Sequence, residues 1–355
     1  MPLDRLQTQL VCALLLTLPS AVLAQEAELT GVVRFDVGSR SGIVEKVAVT
    51  VGDGGTGPYK AMLAGDPALP THTLYRPKDL SPFGSTTRLP IVAWANGGCR
   101  STSGKLRNFL SEIASYGFLV VAIGPAAHSA VLGSEAPTGT SDWSQLIDGI
   151  NWAVAENGRQ GSEYFQKIEV TKVAVMGQSC GGVQALDVSK DPRVTTSLIW
   201  NSGVLAGSRG TGAGPGQPTA AAPAQPPTAP AAAAGRPGAP GGGMTGAMAR
   251  MTRERLIELH APIAYFIGGP SDIAYATSAT DFEQINHVPV LLANRDVGHY
   301  PATYRQPHGG AVAVAGVAWL QWQLKGDQQA RLMFVGDDCG LCRDSAWTIK
   351  RKNLR

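Results

Sequence analysis

The sequence predicts an α/β protein built on a central, mostly parallel sheet with helices on both faces. Three observations carry this prediction. From residue 89 onward, short apolar runs alternate with longer segments whose apolar residues recur at helical spacing, the rhythm of parallel strands joined by crossover helices. The runs at 89–94, 118–123 and 173–176 are almost continuously apolar, as strands covered on both faces are. At 173–182, Val-Ala-Val-Met passes directly into Gly177-Gln-Ser-Cys-Gly181 and then into a helical pattern on Val183, Leu186 and Val188, so strand, tight turn and helix follow without a spacer.

Residues 1–24 read as a targeting segment. Arg5 gives a weak positive start, diluted by Asp4; the apolar run 10–18 is too short to span a bilayer; Val22-Leu-Ala24 offers small residues for cleavage before Gln25. This predicts a secreted or periplasmic protein in which residues 25–355 form one domain. Loss of the segment removes one Arg and one Asp, so the formal net charge stays at +3. So small an excess points to no nucleic-acid partner and no stable membrane insertion. Oligomeric state is not written in the sequence.

Residues 30–94 read as strands separated by turns. Residues 44–51 are β-branched, Gly52-Asp-Gly-Gly55 is a turn signal, and 71–77 alternates until Pro77 stops it. His72, inside such a strand, reads as a packed or surface histidine. A helix is expected over 103–116 on Leu106, Phe109, Leu110 and Ile113, then a strand over 118–123. Asp142 is placed to cap a helix bearing Leu146, Ile147, Ile150 and Val154. After 173–182, strands are expected at 197–200, 263–267 and 288–292. A closing helix over 312–325 puts Ala313, Val317, Leu320 and Leu324 on one face, with Gly326 as its C-cap. Residues 205–249 break the rhythm. They hold eight of the chain's 24 prolines among alanine and glycine runs and too little apolar bulk for a core, so they read as an excursion, a solvent loop or a cover above the sheet edge.

In a parallel sheet, reactive side chains gather in loops at the carboxyl ends of the strands. Ser179 lies there, on a bend where flanking glycines remove the Cβ atoms that would collide with strand or helix. A serine hydroxyl needs a base to take its proton and a third group to orient that base. Of six histidines, His299 follows the strand at 288–292 and sits at the correct edge. His308 is its nearest rival, His287 precedes a strand, and His128 follows the strand ending at Ile123 and is placed to line the pocket. Asp272, in the loop after 263–267, is the expected acid. Asp296 is the alternative, and Asp281 reads as a surface helix residue. Developing negative charge on a substrate oxygen calls for two backbone N–H groups. Cys180 supplies one, and the loop Asn96-Gly-Gly-Cys99 supplies the other from Gly98 or Cys99.

Gly177-Gln-Ser-Cys-Gly181, Asn96-Gly-Gly-Cys99, Gly269-Pro-Ser-Asp272 and Gly298-His299 together resemble an α/β-hydrolase, whose partners follow in the order Ser, Asp, His. Within that superfamily the chain is similar to the secreted branch of dienelactone hydrolase-like, chlorophyllase-like and polyester hydrolase-like enzymes. The segment 317–327, with cysteines behind it, also resembles the end of that group. The resemblance spans roughly residues 35–345 apart from 205–249. Polyester hydrolases usually carry an aromatic residue or His where Gln178 stands and Met where Cys180 stands, so their substrate does not carry over. Dienelactone hydrolases proper use a cysteine where Ser179 stands.

Cysteine use follows from this. Cys12 leaves with the targeting segment, and the four remaining cysteines allow three pairings. Cys339 and Cys342 pair most simply with each other. Cys99 and Cys180 would then meet beside the oxyanion donors, because the hydrolase geometry brings their loops together; two buried free thiols are the alternative. A zinc site is not indicated, since no compact C-x-x-C pair precedes Cys339. The expected function is a secreted serine esterase working through an acyl-enzyme, with no metal or organic cofactor. Amide hydrolysis by the same groups, or a non-catalytic binding module on this scaffold, are the alternatives. Asn96, Gln178, Trp200, Tyr275 and Tyr300 are the expected substrate-lining residues, but substrate identity is not legible.

Overall fold

The computed structural model describes residues 47–130, 141–204 and 250–355. The targeting segment at 1–24 and the excursion at 205–249 lie outside the described residues. Ten strands form one sheet in the order β1-β2-β3-β5-β4-β6-β7-β8-β9-β10. Its centre is parallel: β4 (Leu89–Ala95) lies between β5 (Leu119–Ile123) and β6 (Ile168–Gln178), followed outward by β7 (Val194–Trp200), β8 (Ile263–Ile267) and β9 (Val290–Asn294). Antiparallel strands β1 (Ala48–Val49), β2 (Ala61–Ala64) and β3 (His72–Pro77) extend one edge, and β10 (Thr348–Lys352) closes the other.

Side chains of successive strand residues enter opposite layers. Ile91, Ala93, Val173 and Val175 pack in one core with α3 (Ser144–Gly158), α4 (Cys180–Val188) and α5 (Tyr275–Gln284). Val92, Trp94, Ala174 and Met176 pack in the other with α1 (Arg107–Ser115) and α6 (Gly310–Lys325). The chain leaves β4 towards α1 on one face and leaves β6 towards α4 on the other. The crevice between the carboxyl ends of β4 and β6 is therefore the point where the crossover direction reverses, the place where open α/β sheets hold their ligands.

Most expected elements form, with adjustments that have local causes. The helix expected from residue 103 begins as a 3-10 turn, Gly104–Leu106, before α1. Asp142 caps α3 reciprocally: its Oδ1 accepts the Ser144 N–H at 3.0 Å, and Gln145 Oε1 accepts the Asp142 N–H at 2.9 Å. Val154, expected on the apolar face, is exposed. Strand β9 begins two residues later than expected because Pro289 has no N–H to give the ladder. Gly326 ends α6 in the left-handed conformation at φ 70°. Among the described residues no helix is long and apolar enough to cross a membrane.

Asp281 corrects the expectation of a surface position. It is fully buried, because Ser278, Asp281 and Phe282 share the inward face of α5. It accepts the Val204 N–H at 2.7 Å and Arg253 Nε at 3.2 Å. Asp187 on α4, also buried, accepts from Arg250 at 2.8 Å, Arg255 at 3.0 Å and Lys190 at 3.1 Å. Buried carboxylates on α4 and α5 thus hold the chain at residue 204 and again from 250. Burial pushes the Asp281 carboxyl up to about 6, against the pull of the Val204 N–H and Arg253. A raised folded-state value contributes stability that is fully present below the ordinary carboxylate range and lost as pH rises through about 6. The melting temperature of the native protein is therefore expected to fall relative to that of Asp281→Asn between pH 4 and 7, since Asn does not titrate. A gap constant with pH would contradict this.

Candidate active site

Ser179 sits between the last residue of β6 and the first of α4, with φ 53° and ψ −120°. A non-glycine residue is held in so sparsely populated a conformation only when its surroundings over-determine it. Here the Ser179 N–H donates to Trp200 O at 3.0 Å, and its carbonyl accepts from Ser202 Oγ at 2.7 Å. The flanking glycines are obligatory: a Cβ at Gly177 would overlap the Gly181 carbonyl, and one at Gly181 would overlap the Ala95 carbonyl. Strand, bend and helix are packed backbone to backbone, which leaves the Ser179 side chain at the crevice.

His299 Nε2 lies 2.9 Å from Ser179 Oγ, and its Nδ1 lies 2.6 Å from Asp272 Oδ1. A carboxylate only accepts, so Nδ1 carries the hydrogen; Nε2 of the neutral ring then accepts from the serine hydroxyl. Asp272, in the loop between β8 and α5, is 4% exposed. Its Oδ1 also accepts the Ala274 N–H at 2.9 Å, and Oδ2 accepts the Gly268 N–H and Asn201 Nδ2, each at 2.8 Å. Burial raises the Asp272 carboxyl, but the hydrogen bonds from His299, Ala274, Asn201 and Gly268 outweigh it and hold the group below its ordinary value. Its contribution to stability is accordingly present above the ordinary carboxylate range and lost as pH falls through the folded value.

The other candidates are engaged elsewhere. Asp296 accepts from Ser271 Oγ at 2.8 Å. His308 faces Glu112 at 3.4 Å and Asp53 at 3.6 Å, and His287 binds Leu259 O at 2.8 Å. His72 is buried against Gln145 O at 2.8 Å, and burial lowers its pKa. His128 is exposed on α2 (Ala126–Ala130), with no hydrogen bond to Ser179, His299 or Asp272.

The loop Gly97–Cys99 is a 3-10 turn at the carboxyl end of β4. Gly98 and Cys99 both take positive φ, 65° and 51°. Cys99 is disulfide-bonded to Cys180, the first residue of α4, with Cα atoms 5.3 Å apart; Cys339 and Cys342 form the second pair, 4.9 Å apart. The first bond ties together the two loops expected to donate to an oxyanion. Closing an 81-residue separation, the Cys99–Cys180 bond is expected to contribute about 4 kcal/mol, against about 2 kcal/mol for the three-residue separation of Cys339–Cys342. Urea unfolding of Cys99→Ala/Cys180→Ala beside Cys339→Ala/Cys342→Ala checks this ranking; equal losses, or a larger loss in the second variant, would contradict it.

Two residues that no sequence motif marked complete the site. Asn201, just past β7 with φ 45°, donates Nδ2 both to Asp272 and, at 3.2 Å, to Gly298 O; its Oδ1 accepts from Tyr304 at 2.8 Å. Its position at a strand's carboxyl end was the available signal. Of the expected lining residues, Trp200 is buried in the core, stacked on Phe266 at 4.3 Å. Asn96 is buried and gives its amide to Ile123 O at 2.7 Å and Arg100 O at 3.0 Å. Gln178 is fully buried. Only Tyr275 and Tyr300 are exposed. Among the described residues no group of three or more His, Cys, Asp or Glu side chains is placed to hold a metal ion.

No family model and no curated protein matches this chain. Its chemistry therefore follows from the arrangement of its own residues. That arrangement offers a hydroxyl whose proton has an acceptor, a ring whose second nitrogen is fixed by a buried carboxylate, and a helix start whose first N–H groups have no helical acceptor.

Proposed function

We propose that this protein is a secreted serine hydrolase of the α/β-hydrolase fold that cleaves carboxylic esters through an acyl-enzyme. The hydrogen-bonded series Ser179–His299–Asp272 at the carboxyl edge of a parallel sheet carries this reading. His299 Nε2 takes the hydroxyl proton as Ser179 Oγ attacks the ester carbonyl. The imidazolium, held by Asp272, then gives that proton to the departing alcohol. Water enters, His299 takes one of its protons as the water oxygen attacks the acyl carbonyl, and the imidazolium returns that proton to the departing Ser179 Oγ, releasing the acid. The oxyanion of each tetrahedral intermediate is held by the Cys180 N–H and by that of Gly98 or Cys99. Ile273, Tyr275, Val297 and Tyr300, all exposed, flank Asp272 and His299 in sequence and favour an apolar acyl or alcohol group. The apolar run at 10–18 and the two cysteine pairs favour an oxidising, exported setting.

The test is titration of the purified protein with a fluorophosphonate while p-nitrophenyl acetate turnover is followed. One equivalent bound per chain, with turnover falling in proportion, is expected. Turnover that survives stoichiometric labelling, or a folded protein with neither property, would contradict the proposal.

A further inference from the structure

His299 lies in a loop with no ladder or helix of its own, so its ring can be no better placed than its backbone. Just before it, the Val297 and Gly298 N–H groups donate to Gly268 O at 3.0 and 2.9 Å, and two carbonyls hold the backbone from the other side. Gly298 O accepts from Asn201 Nδ2 at 3.2 Å, and His299 O accepts from Gln178 Nε2 at 3.1 Å. The Gln178 amide is fully buried, yet its Oε1 has no hydrogen-bond partner. An acceptor left so costs on the order of 1–3 kcal/mol, which asks for a donor during the working cycle. The donor at hand is Tyr300. A Cβ built on Gly97 would overlap both Gln178 Oε1 and the Tyr300 phenol oxygen, with Tyr300 Cζ 2.8 Å away. Both oxygens therefore converge on one point beside the loop expected to hold the oxyanion. The Tyr300 ring stands edge-on to His299, centroids 5.7 Å apart at 77°. Burial raises the phenol above its ordinary value, against the pull of Arg100 and Arg305, so it keeps its proton.

We infer that Gln178 is a positioning residue that couples the histidine loop to the Gly97–Cys99 loop: its Nε2 holds the His299 carbonyl, and its Oε1 receives the Tyr300 hydroxyl when the site closes on substrate. This rests on the hydrolase reading above. The Gly97–Tyr300 contact and the Gln178–His299 hydrogen bond then act as one unit, which sets the distance between the base and the oxyanion donors. Only glycine fits at position 97, because a side chain there would occupy the place where the two oxygens meet.

The experiment measures kcat and KM with p-nitrophenyl acetate for the native protein, Gln178→Met, Tyr300→Phe and the double variant. Misplacing a reacting group by about 1 Å costs on the order of 100-fold. Each single variant should lose 10- to 100-fold in kcat with KM within about 2-fold, and the double should lose no more than the worse single, as residues of one network do. Gln178→Glu supplies a second measurement. As an ion it repels the His299 carbonyl; protonated, it donates there and still accepts from Tyr300. Its turnover relative to native should therefore climb as pH falls. Native-like kcat in both single variants, losses confined to KM, additive losses in the double, or a pH-independent Gln178→Glu ratio would overturn the inference. Should Gln178→Met melt below the assay temperature, Tyr300→Phe decides, since it removes one oxygen from a half-exposed side chain. A native protein without turnover overturns the hydrolase reading instead, which keeps the two failures apart.

Discussion

Ser179→Ala is expected to lower ester turnover by about 10⁵-fold or more while leaving the melting temperature close to native. The size follows from what remains. The proposed donors, Cys180 and Gly98 or Cys99, survive the substitution, so a residual ~10³-fold advantage over water is expected to persist, but no covalent step is left to use it. Stability changes little because Ser179 is held through its backbone, by the Trp200 carbonyl and the Ser202 hydroxyl, and its Oγ gives up only the one hydrogen bond to His299 Nε2. Side-by-side kinetics and calorimetry check both halves. A variant that keeps a tenth of the native rate would remove Ser179 from the chemistry.

Asp272→Asn is expected to cost about 10⁴-fold in kcat with the fold intact. Both carboxylate oxygens are filled by donors: His299 and Ala274 on Oδ1, Asn201 and Gly268 on Oδ2. An amide has one oxygen. If its NH₂ faces His299, it forces the ring hydrogen onto Nε2, which then has no lone pair for the serine proton. If it faces the other way, it meets the Asn201 amide and the Gly268 N–H. Either orientation removes the base or loosens the loop that carries the acid. Asp296→Asn serves as the comparison, because among the described residues the Asp296 carboxylate accepts from Ser271 and not from His299, and it should stay within about 3-fold of native, as surface substitutions do. A larger loss in Asp296→Asn than in Asp272→Asn would reverse their roles.

The sheet centre was legible because its strands are buried on both faces and read as apolar runs, and because a crossover helix follows most of them. Residues 173–182 placed the serine by local chemistry alone: no side chain is tolerated at Gly177 or Gly181, so the motif implies the bend. Asp272 and His299 were chosen for their places after strands, and the structure brings both into one hydrogen-bonded series with Ser179. The edge strands were harder. The segment that forms β10, Thr348–Lys352, is rich in charge, as exposed edges are, and it carries no apolar pattern. Asp281 was misplaced because its burial depends on Val204 and Arg253, which are distant in sequence. Asn201 and Tyr304 escaped notice for a related reason: their role is hydrogen bonding across 71 and 103 positions, which leaves no local periodicity. Trp200 was expected to line the site, but the alternation of β7 turns its ring into the core.

The covalent step is the centre of this account, and it is open to direct observation. Mixing the protein with excess p-nitrophenyl ester, quenching in acid within the first turnovers and mapping peptides by mass spectrometry should show one acyl group on the peptide containing Ser179, formed with a stoichiometric burst of p-nitrophenol. Turnover without any acylated peptide, or acylation at a residue other than Ser179, would contradict it.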